Sequence, residues 1–136
     1  MKEVRIGIIG MGGMGNNHAR NLMQGKVPRA NLVAVCDVKE HRIDAAKEMY
    51  GEKLSYYTEP EKMLNSGDID AIIIATPHYD HPKLAIAGFD SGLHVMIEKP
   101  AGVYTRQVRE MNERAEASDK VFGIMLNHRT NPLYQK

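Results

Sequence analysis

The chain offers little that could brace it from outside its own core. It has one cysteine, Cys36, and no tryptophan. A single thiol cannot close an intramolecular disulfide, and neither a disulfide-stapled secreted fold nor a Cys-based zinc site is available, so a reducing, cytoplasmic setting is expected. No segment approaches the ~18 consecutive apolar residues of a membrane helix, and a soluble protein is expected. An excess of one charge is missing as well: 18 Lys and Arg stand against 17 Asp and Glu, interspersed along the chain. That balance gives no electrostatic reason to expect DNA, RNA or an anionic membrane as a partner. The start, Met1 to Arg5 followed by Ile6 to Ile9, has the basic-then-apolar order of a signal peptide. Gly7 and Gly10 break the apolar stretch, however, and no small-residue cleavage site follows. What remains is a chain of 136 residues, the length of one ordinary domain.

Short β-branched runs alternate with longer segments whose apolar residues recur at helical spacing. Val4 to Ile9 reads as a first strand, apolar at nearly every position and so suited to a sheet covered on both faces. A helix is predicted from about Asn16 to Met23, then a strand from Leu32 to Cys36. Ile43, Ala46 and Met49 mark one face of the next helix, which Gly51 stops. Leu54 to Tyr57 is a weaker strand, after which Thr58 opens a short helix in a capping box with Glu61, with Pro60 in its first turn. Ala71 to Ala75 reads as a deeply buried strand. Asp80 and Pro82 are expected to cap the helix carrying Leu84, Ala85 and Ala87, which Gly92 ends. Leu93 to Ile97 is the next strand, Thr105 the expected N-cap of a helix burying Val108, Met111 and Ala115, and Val121 to Leu126 the last strand. Alternating strands and helices require right-handed crossovers. The predicted fold is therefore α/β: a doubly wound, mostly parallel six-stranded Rossmann sheet in the order 3-2-1-4-5-6, with helices on both faces. Residues 1–126 are assigned to this unit.

Directly after the first strand stands Gly10-Met11-Gly12-Gly13-Met14-Gly15, a G-x-G-x-x-G string with Gly10, Gly12 and Gly15 in the three glycine roles. The first permits a tight turn, the second lets the backbone approach a pyrophosphate, and the third lets the helix pack on the strand. The helix that follows turns its free N–H groups and positive dipole end toward the phosphates. An ordinary strand-to-helix turn would also be rich in glycine, so position carries the weight here. The loop follows a strand, opens a helix, and is followed by Asp37 at the end of the second strand. A carboxylate there accepts hydrogen bonds from the adenosine ribose hydroxyls and repels the extra phosphate of NADP, so NAD is the expected cofactor. The plainer reading of Asp37 is a helix N-cap, and Lys39 and Arg42 stand near enough in sequence to soften the repulsion. The whole loop, Met11, Gly13 and Met14 included, is assigned to cofactor binding, with the methionines packing along the adenine-side wall.

In open α/β sheets ligands sit outside the carboxyl ends of the strands. The residues there are Ala75-Thr76-Pro77-His78-Tyr79-Asp80-His81 and Glu98-Lys99-Pro100. Together with the glycine loop and Asp37, the Ala-Thr-Pro turn leading to His81, and above all Glu98-Lys99-Pro100, resemble the glucose-fructose oxidoreductase, inositol dehydrogenase and MocA family over essentially the whole chain. The resemblance implies that Lys99 is catalytic, reaching the substrate hydroxyl and the nicotinamide ribose. A fixed cation beside a carbinol oxygen favours the alkoxide-like charge that develops as hydride leaves. The resemblance further implies that Thr76 and Pro77 pack beside the nicotinamide ribose and that Glu98 approaches the cofactor. His81 joins the cofactor-binding set or acts only as a structural donor. The family often has asparagine where this chain has His78, whose role stays open. Pro100 would fix the backbone that aims Lys99.

Glu98-Lys99 has a plainer reading as a solvated charged pair. His78 and His81, joined by Asp80, have the spacing of a metal pair, but no further ligand cluster is evident and no metal is expected. The resemblance implies that Arg129 to Pro132 leads toward a helix and a second domain, residues 127–136 being the start of that connection. On this reading the chain is the cofactor half of a longer NAD-dependent oxidoreductase acting on a sugar, cyclitol or related polyol. The longer protein is expected to be homo-oligomeric and the chain alone inactive. Two rivals stand beside it. One is a non-catalytic NAD-binding or sensing module, against which Lys99 argues. The other is a methyltransferase, whose adenosyl donor lacks the pyrophosphate that this loop would cradle.

Overall fold

A computed structural model describes residues 2–135; Met1 and Lys136, the outer ends of the two predicted ranges, lie outside the described residues. The strands are β1 (Val4–Ile9), β2 (Ala30–Cys36), β3 (Ser55–Tyr57), β4 (Ala71–Ile74), β5 (His94–Glu98) and β6 (Phe122–Met125). Between and after them come α1 (Gly13–Met23), α2 (Glu40–Tyr50), α3 (Pro60–Leu64), α4 (His81–Asp90), α5 (Thr105–Ala117) and α6 (Asn127–Thr130). The strands form one six-stranded sheet in the order β3-β2-β1-β4-β5-β6. Every pairing is parallel, so the expected doubly wound order holds and the sheet is parallel throughout.

Alternation along the strands feeds two cores. Ile9, Ile72, Ile74, Val95 and Ile97 point to one face and pack with Ala85 and Phe89 of α4 and Met111 of α5. Ile8, Val35 and Ile73 point to the other, against Ala19 and Leu22 of α1 and Ile43 and Ala46 of α2. Each such side chain contributes about 1.5–3 kcal/mol on burial, which explains why the strands read as almost unbroken apolar runs. The coverage is uneven: among the described residues the second core contains no residue of β5 or β6, and Met96 on that face of β5 is 38% exposed. No helix among the described residues is long and apolar enough to cross a membrane.

Helix starts are where the sequence reading misses. α1 begins at Gly13, earlier than expected, so Gly15 lies inside its first turn. Thr58 does not cap α3: Glu59 holds the cap position, no side chain caps it, and Pro60, with φ already set for a helix, opens the element. Thr105 is the first residue of α5, one place too late to cap, with Tyr104 before it. Asp80 does precede α4, but its φ of −88° and ψ of −15° are helical and its carboxylate caps nothing. The 3₁₀ turn His78–Asp80 runs straight into the helix, and a capping side chain needs an extended backbone to fold back on the N–H groups. Met49, expected on the buried face of α2, is 62% exposed; Ile43 and Ala46 alone carry that buried stripe.

Candidate functional site

The register aligns Ile9 with Cys36 on one side and with Ile74 on the other. Gly10, Asp37 and Ala75-Thr76 therefore leave the sheet side by side. The Gly10 N–H donates to the Cys36 carbonyl and the Ala75 N–H to the Ile9 carbonyl, each at 2.8 Å. Gly10 has φ +96°, and a Cβ there would lie 2.7 Å from the Ala75 carbonyl; at Gly15 it would lie 1.7 Å from the Gly10 oxygen. These two glycines are required by the protein itself. The middle pair is not: a Cβ on Gly12 would make only ordinary contact, 3.7–3.9 Å from the Arg42 guanidinium, and one on Gly13 would meet nothing within 4 Å. The fold thus forbids no side chain at Gly12 and Gly13: a Cβ would face open space at Gly13 and only the Arg42 guanidinium at Gly12.

This bare backbone opens α1, whose first-turn N–H groups have no partner within the helix and whose first turn carries no acidic residue. A pyrophosphate fits such a cradle, and the fold alone gives no reason for glycine at these two positions. Asn16 braces the loop: its amide donates to the Met11 carbonyl at 2.7 Å and to the Gly12 carbonyl at 3.0 Å.

Asp37 is buried at the end of β2. Its Oδ2 accepts from the Met11 N–H at 2.8 Å and from the Arg42 guanidinium at 3.0 Å, and its Oδ1 from the Lys39 N–H at 2.9 Å. Burial pushes the carboxyl up, but the hydrogen bonds from Lys39, Met11 and Arg42 outweigh it and hold Asp37 below the usual carboxylate range. The group is therefore a fixed anion. Beside it opens a cleft of about 570 Å³. Gly10, Asp37, Thr76 and Pro77 line it at the strand ends, and its remaining walls combine Val38, Pro60 and Leu84 with charged residues that include Glu59 and Lys83.

On the β4–β5 side, Lys99 is exposed and stands outside the walls of this cleft. The Lys99–Pro100 peptide is cis. Glu98 is buried and pairs with His18 of α1, Nε2 to Oε1 at 2.6 Å. His81 has no exposed surface. Its Nδ1 lies 2.8 Å from the Pro100 carbonyl and its Nε2 3.0 Å from the Thr76 carbonyl. A neutral ring donates to one of these oxygens and a doubly protonated ring to both. Either way the ring ties the Thr76 loop to the Lys99 loop, and its place is between them rather than in the cleft.

The other sequence-assigned residues divide. Gly10, Asp37, Thr76 and Pro77 line one cavity. Met11 is buried in the core beneath the loop, presenting only its backbone to Asp37, and Met14 is exposed on α1. His78 meets His81 edge to face with ring centroids 5.9 Å apart, and among the described residues no group of His, Cys, Asp and Glu could hold a metal ion. Missed from sequence were Asn16, His18 and the cleft walls. His18 lies on the loop's own helix, but its partner Glu98 is remote in the chain, so only the fold could pair them. Thr58 and Pro60 were read as helix-capping residues, which hid their place in the cleft.

A buried anion after β2, a glycine cradle at a helix N-terminus and a cleft at the carboxyl ends of β1, β2 and β4 define a dinucleotide-binding domain of the Rossmann class. Comparison with known proteins agrees. Residues 4–126 match the model of GFO_IDH_MocA, described as an oxidoreductase family with an NAD-binding Rossmann fold, and the chain belongs to that family. It is 31% identical over 133 residues to myo-inositol 2-dehydrogenase of Thermotoga maritima, a match covering 98% of this chain and 39% of that protein. The structure of scyllo-inositol dehydrogenase from Lactobacillus casei, with bound NAD(H) and scyllo-inositol, superposes with a TM-score of 0.91 at 28% identity, over 98% of this chain and 39% of that one. The WlbA dehydrogenase from Bordetella pertussis, in complex with NADH and UDP-GlcNAcA, does so with a TM-score of 0.88 at 29% identity, over 98% and 40% respectively. The chain thus spans about two fifths of the length of these relatives.

Proposed function

We propose that this chain is the cofactor half of a cytoplasmic, homo-oligomeric NAD-dependent dehydrogenase that oxidises a carbinol carbon of a sugar, cyclitol or related polyol. Residues 1–126 form the nucleotide domain and 127–136 begin the connection onward. The observation that carries the reading is the bare Gly12-Gly13 backbone beside the buried Asp37 anion, on the same sheet edge as Lys99. The relatives named inositol dehydrogenases support the substrate class.

The α1 N-terminus and the loop backbone hold the pyrophosphate by N–H donors and dipole. Asp37 accepts from the adenosine ribose hydroxyls, and the cleft wall from Val38 to Leu84 takes the adenine. Thr76 and Pro77 pack beside the second ribose, and Glu98, steadied by His18, faces the cofactor from the end of β5. NAD, when bound, supplies the hydride acceptor. Lys99 donates a hydrogen bond to the carbinol oxygen and stabilises the negative charge gathering there as the hydroxyl proton passes to solvent water.

The test pairs binding with turnover. The chain should bind NADH more tightly than NADPH, and Asp37→Ala should narrow the gap, as read by nucleotide fluorescence titration. In the longer protein, Lys99→Ala should change NADH affinity by less than about tenfold, roughly 1.4 kcal/mol, while turnover of a polyol falls far more. A proportional loss of both would make Lys99 a cofactor clamp and refute its catalytic role.

A further inference from the structure

We propose that Arg42 sets how strictly the site separates NADH from NADPH, because it sits on Asp37 where the ribose hydroxyls must bind and, once displaced, becomes the cation that receives a 2′-phosphate. The inference rests on the reading of the cleft as a NAD site.

A carboxylate offers about four acceptor positions. On Asp37, Oδ2 takes the Met11 N–H and the Arg42 guanidinium, and Oδ1 takes the Lys39 N–H. One position, on Oδ1, is left. A vicinal diol brings two O–H donors, so it needs a second place. The Met11 and Lys39 donors are backbone groups fixed by the glycine loop and the start of α2. Arg42 alone approaches on a flexible stem, with its side chain 36% exposed against 4% for the carboxylate it pairs with. Its guanidinium also lies 3.7–3.9 Å from where a Gly12 Cβ would be, over the bare backbone that a pyrophosphate must approach. Both observations require the same thing: a dinucleotide entering this cleft moves Arg42 aside.

Arg42 is anchored in the first turn of α2, at the rim of the cleft beside Lys39, so displacement leaves its charge within reach of the adenosine 2′ position. With NADH, two neutral hydroxyls take over the vacated oxygen, and the loss of the ion pair is offset by those bonds. With NADPH, a dianion arrives next to Asp37. The fork of guanidinium donors matches a phosphate, and without it the bare carboxylate would meet the phosphate unshielded. Arg42 therefore works against NADH slightly, by competing for Asp37, and in favour of NADPH strongly.

The experiment compares the unaltered chain with Arg42→Ala, Arg42→Gln and Arg42→Lys, titrating each with NADH and NADPH by fluorescence. Melting temperatures identify the variants that remain folded, and Gln keeps the stem should Ala disturb α2. The expected result is that Ala and Gln leave NADH affinity within about threefold, or tighten it, and weaken NADPH about tenfold or more, with Lys in between. A change of less than threefold in the NADPH-to-NADH ratio would overturn the proposal while the NAD reading stands. Equal weakening of both nucleotides would also overturn it and make Arg42 a general clamp. If the unaltered chain binds neither nucleotide, the NAD reading falls and this inference falls with it.

Discussion

On the β1–β2 side of the sheet edge, the site is built mainly of backbone N–H groups and one carboxylate, Asp37, held between the Met11 and Lys39 N–H groups with Arg42 as its one side-chain partner. On the β4–β5 side, Lys99, the residue to which the proposed function gives the chemistry, stands exposed on a loop, and the sheet face beyond Glu98 carries a partly exposed Met96. On the proposed function, the first half binds a group that is the same in every turnover, and a seat made by the local fold suffices. On the same reading the second half meets the substrate, and it offers one exposed cation on a loop that His81 ties to the Thr76 loop, next to the buried Glu98–His18 pair.

The largest effect should come from the glycines that separate fold from function. Gly15→Ala puts a Cβ 1.7 Å from the Gly10 oxygen and is expected to cost more than about 3 kcal/mol of stability or to prevent folding. Gly13→Ala meets open space and should stay within about 1 kcal/mol of the unaltered chain, read by denaturant unfolding. Similar losses at both positions would erase the division between structural and ligand-facing glycines.

Next in size is the support behind Lys99. His81→Ala removes a buried ring and strands the Thr76 and Pro100 carbonyls, a loss of about 2–4 kcal/mol. Lys99→Ala, at an exposed position, should lie within about 0.5 kcal/mol. If His81→Ala were as mild as Lys99→Ala, the two loops would not depend on the ring.

The smallest effect sits at the opposite edge of the sheet, where Arg5 of β1 grips Asp70 just before β4 at 2.9 Å. The side-chain and backbone hydrogen bonds from Arg5 hold the Asp70 carboxyl down to about 2. Because the folded value is depressed, this stabilisation is present above the ordinary aspartate range near pH 4. It is lost as pH falls through about 2. The carboxylate is 28% exposed and Arg5 more so, so Asp70→Asn should cost only about 1 kcal/mol at neutral pH and flatten the acid limb of the stability curve. NADH affinity should not move, because the pair lies at the amino ends of the strands. A shift in affinity would show that the two sheet edges are coupled.

Much of this was legible along the chain because the signals are local. The glycine string, the strand before it and Asp37 lie within one βα unit and the strand after it, and their spacing is a backbone property. The Glu98-Lys99-Pro100 element was legible by resemblance. The helix caps were not, because a shift of one residue moves a hydroxyl out of reach of the N–H it would serve, and such shifts are set by how each helix seats on the sheet. The structural-donor reading of His81 was legible, but not which loops it joins, since its acceptors are backbone carbonyls that any residue could have supplied.

The sequence by itself determined the element order, the parallel sheet and the glycines that the turn and the helix contact demand, because apolar periodicity and backbone sterics act over a few residues. Only the tertiary structure decided that His18 meets Glu98, that His81 locks two loops together and that Arg42 sits on Asp37. Each of these depends on where side chains from separate elements converge, and a hydrogen bond is made or missed over distances smaller than a single step along the chain.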